Sequence, residues 1–154
     1  MAGSGKAQEA RPDAAAPPPA TRKRGQQSQI DFEIDFFQAV LRSYPDYIDV
    51  LRILGNDLTL KGRLREGLVI DQKLVKLRPR DFLAHYNLAC THALLGRVDD
   101  ALGALRQAIL LGYHDFSYMR QDRDLDALRN DPRYRQLIAE FERAGKNPRS
   151  SQRR

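Results

Sequence analysis

FLAHYNLACTHALLGRVDDALGALRQAILLGYHD, residues 82–115, carries two apolar stripes at helical spacing with one glycine between them. His85, Leu88, Ala89, His92 and Leu95 recur at three- and four-residue steps, and Val98, Ala101, Leu102, Leu105, Ala108 and Ile109 do so again beyond Gly96. Each set lines one side of a helix, because residues three and four apart stand on the same face. Gly96 ends the first helix in a tight turn, since glycine takes the left-handed backbone that an L side chain resists. The stretch therefore reads as two short antiparallel helices.

Upstream, the same pattern returns. Pro45 and Pro79 are 34 residues apart, and Tyr113 falls where the next proline is due. Leu54-Gly55 and Leu88-Ala89 keep that interval, as do Gly62 and Gly96, Gly67 and Ala101, and Leu74 and Ala108. The small residues at 55, 67, 89, 101 and 108 allow paired helices to approach closely. Ile48, Leu51, Leu54 and Leu58 form one more stripe, Leu64, Leu68 and Val75 another, and Ile34, Phe37, Leu41 and Tyr44 a further one before them. Downstream, Tyr134, Leu137, Ile138 and Phe141 make the last. Asp46, Asp81 and Asp131 stand where N-caps belong, with Pro132 at the first helical position after Asp131. No window alternates apolar and polar residues for long enough to make a strand, so the fold class is all-α.

A 34-residue period built of two short helices resembles the tetratricopeptide repeat. The resemblance is carried by "YNLA" at 86–89, by Gly96, and by the series Ala101, Leu105 and Ala108. It implies a full repeat at 82–115 and another at 48–81, where Gly67 replaces the usual alanine and Asp71 the usual aromatic. It implies an unpaired half repeat at 30–45 and a degenerate end segment at 116–144. The expected architecture is a short right-handed α-solenoid, its concave groove lined by the first helix of each pair. The amphipathic helix near 132–144 closes the last apolar face as a cap, with Arg133, Arg135 and Glu142 turned to water.

Composition bounds the rest. The formal charge is +6. Five basic against two acidic residues at 1–29, and four basic with no acidic residue at 145–154, place +3 and +4 in the ends and leave −1 for 30–144. Both ends are rich in Ala, Pro, Gly, Ser and Gln and read as disordered, because almost nothing there offsets the entropy of ordering. Basic residues in such tails are solubilising, or hold nucleic acid weakly and without sequence preference. One Cys, three His and no Trp argue against a disulfide scaffold, a zinc finger or an iron–sulfur protein. No apolar run approaches the ~18–20 residues of a membrane span, and the N-terminus lacks a signal-type apolar stretch. The expectation is a cytoplasmic protein with no membrane partner.

The candidate chemical constellations dissolve one by one. GxxxxGK[ST] and GxGxxG are absent, and Gly3-Ser4-Gly5-Lys6 follows no strand. Cys90 and His92 are two residues apart on one helix and face different ways, which no nucleophile pair tolerates. His85 and His92 share a face but stand ~10 Å apart along the axis, too far to ligate one metal. They read as packing histidines. Asp122, Asp124 and Asp126 open like a calcium loop, but Ala127 replaces the sixth-position glycine and Arg133 the twelfth-position glutamate. The sequence therefore predicts no catalytic residue, metal site or cofactor.

The groove is what remains. In the tetratricopeptide register it presents Asp49, Arg52, Asn56 and Thr59 from the first pair, and Leu83, Tyr86, Asn87, Cys90 and Leu94 from the second. Arg52, Asn56 and Asn87 resemble three of the five positions that grip a peptide's C-terminal carboxylate in chaperone-binding members. The other two basic positions fall at Ser117 and Gln121, which carry no charge. The resemblance implies a non-catalytic adaptor that binds a peptide or helix of another protein in the groove. The rival readings are a nucleic-acid accessory protein acting through its basic tails and a structural subunit docking through the ends of the array.

Overall fold

The computed structural model describes residues 24–146. Among them there are only helices: α1 (Arg24–Ser43), α2 (Ile48–Leu60), α3 (Leu64–Leu77), α4 (Phe82–Leu94), α5 (Val98–Leu110), α6 (Phe116–Gln121), a 3₁₀ helix (Arg123–Leu128) and α7 (Pro132–Lys146). Consecutive helices pack in adjacent pairs from α1 through α5, and the 3₁₀ helix lies against α4. The starts of α2 and α4 are 34 residues apart, as are those of α3 and α5.

Three turns explain why the helices stop where they do. Gly62 and Gly96 both sit at φ 73°, and Gly112 at φ 118°. At each, two backbone N–H groups return to the preceding helix. Gly62 donates to Thr59 (2.9 Å) and Arg63 to Leu58 (2.8 Å); Gly96 to Ala93 (2.9 Å) and Arg97 to His92 (2.9 Å); Gly112 to Ile109 and Tyr113 to Ala108 (both 3.0 Å). This is the Schellman closure, which satisfies carbonyls that a helix end otherwise orphans. The helix starts differ from one another. Asp81 caps α4, accepting from Leu83 (2.9 Å) and Ala84 (3.3 Å), and Asp131 accepts from Arg133 (2.9 Å) at the start of α7. Asp46 makes no cap: Tyr47 precedes α2 without a side-chain bond, and Asp46 instead pairs with Lys73 of α3 at 3.1 Å.

Helix α1 begins at Arg24, six residues before Ile30, where composition alone opens the helical unit. A helix anchored by Ile30, Ile34, Phe37 and Leu41 carries the polar Gln and Ser residues along, because extending an existing helix costs far less than nucleating one. What remains of the two expected tails, 1–23 and 147–154, lies outside the described residues.

The core is unequal along the chain. One large buried cluster joins α4 and α5 to the end segment through Tyr86, Cys90, Leu105, Ala108, Leu125 and Leu128, with Met119, Tyr134, Leu137 and Ile138 also inside it. Two smaller clusters serve the first three helices, around Ile34, Leu54 and Leu58 and around Leu51, Leu74 and Ala84. Helix α7 reaches the large cluster as a covering element, and Tyr134 donates its hydroxyl to the Met119 carbonyl at 3.0 Å. Small residues stand at the close approaches. Ala89, Ala101 and Ala108 are fully buried, and a Cβ built on Gly67 would lie 3.5 Å from Thr59 Oγ1 and 3.8 Å from the Gly55 carbonyl.

Candidate functional site

The nine residues expected to line one groove separate into two groups, with Leu94 in the open one. Asp49 is exposed, and Arg52, Thr59 and Leu83 are half-buried. Asn56, Asn87, Tyr86 and Cys90 are enclosed. For Tyr86 and Cys90 the physical reason is the 3₁₀ helix, which lies against α4. The Tyr86 hydroxyl donates to Asp122 Oδ2 at 2.7 Å, its ring stacks on Tyr113 with centroids 4.3 Å apart, and the Cys90 thiol meets the same carboxylate oxygen at 3.8 Å. Asp122 in turn caps the 3₁₀ helix by accepting from the Asp124 N–H at 3.0 Å. Two side chains that the repeat register places on a binding surface are thus part of the core.

Burial dominates the electrostatics here. It raises the Asp122 carboxyl above the ordinary aspartate range, against the lowering effect of the bonds from Tyr86, Asp124 and Cys90. It also pushes the Tyr86 and Tyr113 phenols far up, so both stay protonated. Of the aspartates that open like a calcium loop, Asp122 caps the 3₁₀ helix and Asp126 pairs with Arg129 at 2.9 Å; Asp122 and Asp124 are each 2% exposed.

The residues that resemble a carboxylate clamp do not assemble one. Arg52 makes an ion pair with Asp81, whose other oxygen caps α4. One aspartate thereby ties α2 to the start of α4 and neutralises the guanidinium. Asn56 and Asn87 are 8% and 6% exposed, and Asn87 Oδ1 has no hydrogen-bond partner. Ser117 and Gln121 are exposed and uncharged.

What α2 and α4 do present are apolar side chains partly open to solvent, with charged residues beside them on α2. Ile53 is 40% and Leu94 37% exposed, Leu60 and Leu83 are half-buried, and the charged residues are Asp49 and Arg52. Leu60 and Leu94 are the same residue type one period apart. Leu94 is legible from the register. Ile53 is not among the expected residues, although an isoleucine off the Leu51–Leu54–Leu58 stripe is the signal for it. The spacing marks Asp81 only as a cap, and nothing in it announces the second partner.

The histidines behave as packing residues. His85 is buried with Nε2 2.8 Å from the Pro79 carbonyl, and His92 is buried, which lowers its basicity. Asp71 is 1% exposed and accepts from the Thr91 hydroxyl at 2.6 Å. Among the described residues no three His, Cys, Asp or Glu side chains are gathered as metal ligands, and no helix is long and apolar enough to cross a membrane. An open cleft of about 310 Å³ lies between α5 and α7 over Leu102 and Leu137. Its arginines are engaged, Arg133 by Asp99 and Asp131 at 2.7 and 2.8 Å and Arg106 by the Phe141 ring.

No family model matches the chain. A curated relative from Arabidopsis thaliana, a protein described as chloroplastic, is 31% identical over 91 residues, which cover 57% of this chain and 27% of the relative. The chain thus spans about a quarter of the length of that protein.

Proposed function

We propose that the chain is a non-catalytic adaptor: a short tetratricopeptide-like α-solenoid that takes a peptide or helix of another protein across α2 and α4. The observation that carries the reading is the set Ile53, Leu60, Leu83 and Leu94, partly open to solvent on two helices 34 residues apart, with Asp49 and Arg52 also on α2. Isolated exposed apolar residues need no explanation, but apolar side chains left open on both helices, with Leu60 and Leu94 one period apart, offer anchors to an apolar segment. The Arg52–Asp81 pair sets the two helices relative to each other, so these side chains are organised before a partner arrives, and less is lost on binding. The anchors are apolar contacts and backbone-directed polar groups. A grip on a terminal carboxylate is no part of the proposal, because Arg52 already has its anion.

The test is selection of a displayed peptide library against the full chain. Changing Ile53→Asp together with Leu94→Asp should weaken the selected peptides at least ~10-fold, or about 1.4 kcal/mol, with helical signal and melting unchanged. Arg65→Ala with Gln107→Ala, on exposed positions of α3 and α5, should leave binding as it was. Peptides that ignore the first pair and are lost with the second overturn the assignment.

A further inference from the structure

His85 and His92 share one side of α4, but their rings are provided for differently. His85 Nε2 lies 2.8 Å from the Pro79 carbonyl, which accepts a proton carried there. His92 is 8% exposed, and its Nδ1 is enclosed with no hydrogen-bond partner among the described residues. A neutral ring leaves a bare lone pair at that atom. An imidazolium carries an N–H at both nitrogens, and here one of them meets nothing that accepts it. A buried cation with an unmet donor is costly, so the enclosure favours the neutral ring.

The charged surroundings do not reverse this preference. Burial is the strongest influence and lowers the basicity of His92; Asp100 of α5 raises it, Arg97 in the α4–α5 turn lowers it, and Asp71 of α3 raises it. Asp71 is already engaged by the Thr91 hydroxyl at 2.6 Å, and Asp100 is exposed to water. The third element on α4, the 3₁₀ helix, meets it on the side of Tyr86 and Cys90, about 120–160° around the helix from His92. One period earlier the position belongs to Leu58, which is 1% exposed. His92 thus puts an ionisable ring where the preceding pair keeps a plain aliphatic side chain.

The ring also sits at a joint. The His92 carbonyl accepts from the Arg97 N–H at 2.9 Å, Ala93 from Gly96 at 2.9 Å and Thr91 from Leu95 at 3.1 Å, and these three bonds close the turn between α4 and α5. Leu94, 37% exposed, ends α4 at that turn. We propose that His92 is a proton-operated release: acidification through the range where histidine ionises charges the ring, the last turn of α4 opens to bring the imidazolium to water, and Leu94 loses its fixed place. The sign follows from burial. A ring freed by opening takes its proton near the ordinary value of 6.5, and the enclosed ring only at lower pH. The closed turn therefore keeps its full advantage above about pH 6.5 and loses it as pH falls below that value. The consequence for binding rests on the α2–α4 reading given above; the opening of the turn does not.

The test is amide hydrogen exchange on the full chain at about pH 7.5 and about pH 5, corrected for intrinsic rates, beside peptide binding at the same two values. Protection of the Leu95, Gly96 and Arg97 amides should fall at least ~3-fold in the parent between them. His92→Leu, which installs the residue of the preceding pair, should hold that protection constant, and His92→Gln should do so without the added apolar packing. His114→Gln, at an exposed ring, should behave as the parent. A histidine-free peptide selected on the full chain should bind the parent at least ~3-fold more weakly at the lower pH, and each His92 variant equally at both. Protection indifferent to pH, or falling as much in both His92 variants as in the parent, overturns the proposal. A turn that opens while the peptide stays bound at full strength overturns the release of Leu94. If no peptide binds at either pH while the turn still opens in the parent alone, the α2–α4 reading fails and the proton-operated opening is upheld.

Discussion

The first three helices and the remainder of the molecule are both built of helices packed in adjacent pairs but are finished differently. From α4 onward one buried cluster runs through two helices, the 3₁₀ helix and α7, with Leu105, Leu125 and Leu128 fully enclosed. From α1 to α3 the core is split in two, and Phe32, Phe36, Tyr44, Tyr47, Ile53 and Val69 face solvent. A helix pair cannot bury its own apolar face, so each end of a stack must be covered or left open. One end here is closed by its own chain, and the other is not closed by any described residue. The closed end gains stability by consuming positions that a repeat register assigns to binding, namely Tyr86 and Cys90; the open end retains its aromatic surface.

The contrast is sharpest at two residues one period apart. Leu105 fills the core of the closed half, while its counterpart Asp71 places a carboxylate in the interior of the open half and bonds to Thr91. Leu105→Ala should cost about 2–5 kcal/mol in urea melts, because a buried leucine leaves a cavity in a region with little room to collapse. A loss under ~1 kcal/mol would mean that the closed half is no better packed than the open one.

Gly67 and Ala101 form a second such pair. A methyl group on Gly67 meets its nearest neighbours at 3.5–3.8 Å, ordinary contact distance, inside a regular helix. Gly67→Ala should therefore stabilise the protein by about 0.5–1 kcal/mol by removing backbone freedom from the unfolded chain. Destabilisation by that substitution would show that α2 and α3 are already as tight as α4 and α5.

The smallest expected effect is a pH dependence at the closure itself. Because burial raises the Asp122 carboxyl in the folded state, the folded protein takes up that proton before the unfolded chain does. Asp122 therefore adds stability as pH falls, from just above its raised value down to the ordinary aspartate value of 3.8. Asp131 acts in the opposite sense: its bonds from Arg133 lower its carboxyl, and its contribution is lost on acidification below that same ordinary value. The stability of the parent relative to Asp122→Asn should grow as pH is lowered from about 7 toward about 4. A gap that shrinks instead would place Asp122 among the ordinary ion-paired aspartates.

Much of this is legible in the residues. The period at Gly62 and Gly96 locates the helix ends because only a left-handed residue closes a Schellman turn without strain. Asp81 and Asp131 announce helix starts, whereas Asp46 does not, since a charged side chain near a helix start serves equally well as an ion-pair partner and Lys73 is within reach. The candidate site is half legible. Spacing says which side of a helix a residue occupies, and Asp49, Arg52 and Leu94 do lie at the surface. It does not say which segment will later fold back over that side, and a 3₁₀ helix of Arg123–Leu128 has too short a pattern to reveal that it covers Tyr86 and Cys90.

The most direct test is native-state hydrogen exchange on the full chain, resolved by helix. Amides of α4 and α5 and the bond from the Tyr134 N–H to the Asp131 carbonyl should open only with global unfolding, while those of α1 and α2 should open through a lower-energy event that leaves the closed half intact. A single free energy of opening across all helices, or α1 as the most protected element, would contradict a molecule sealed at one end and open at the other.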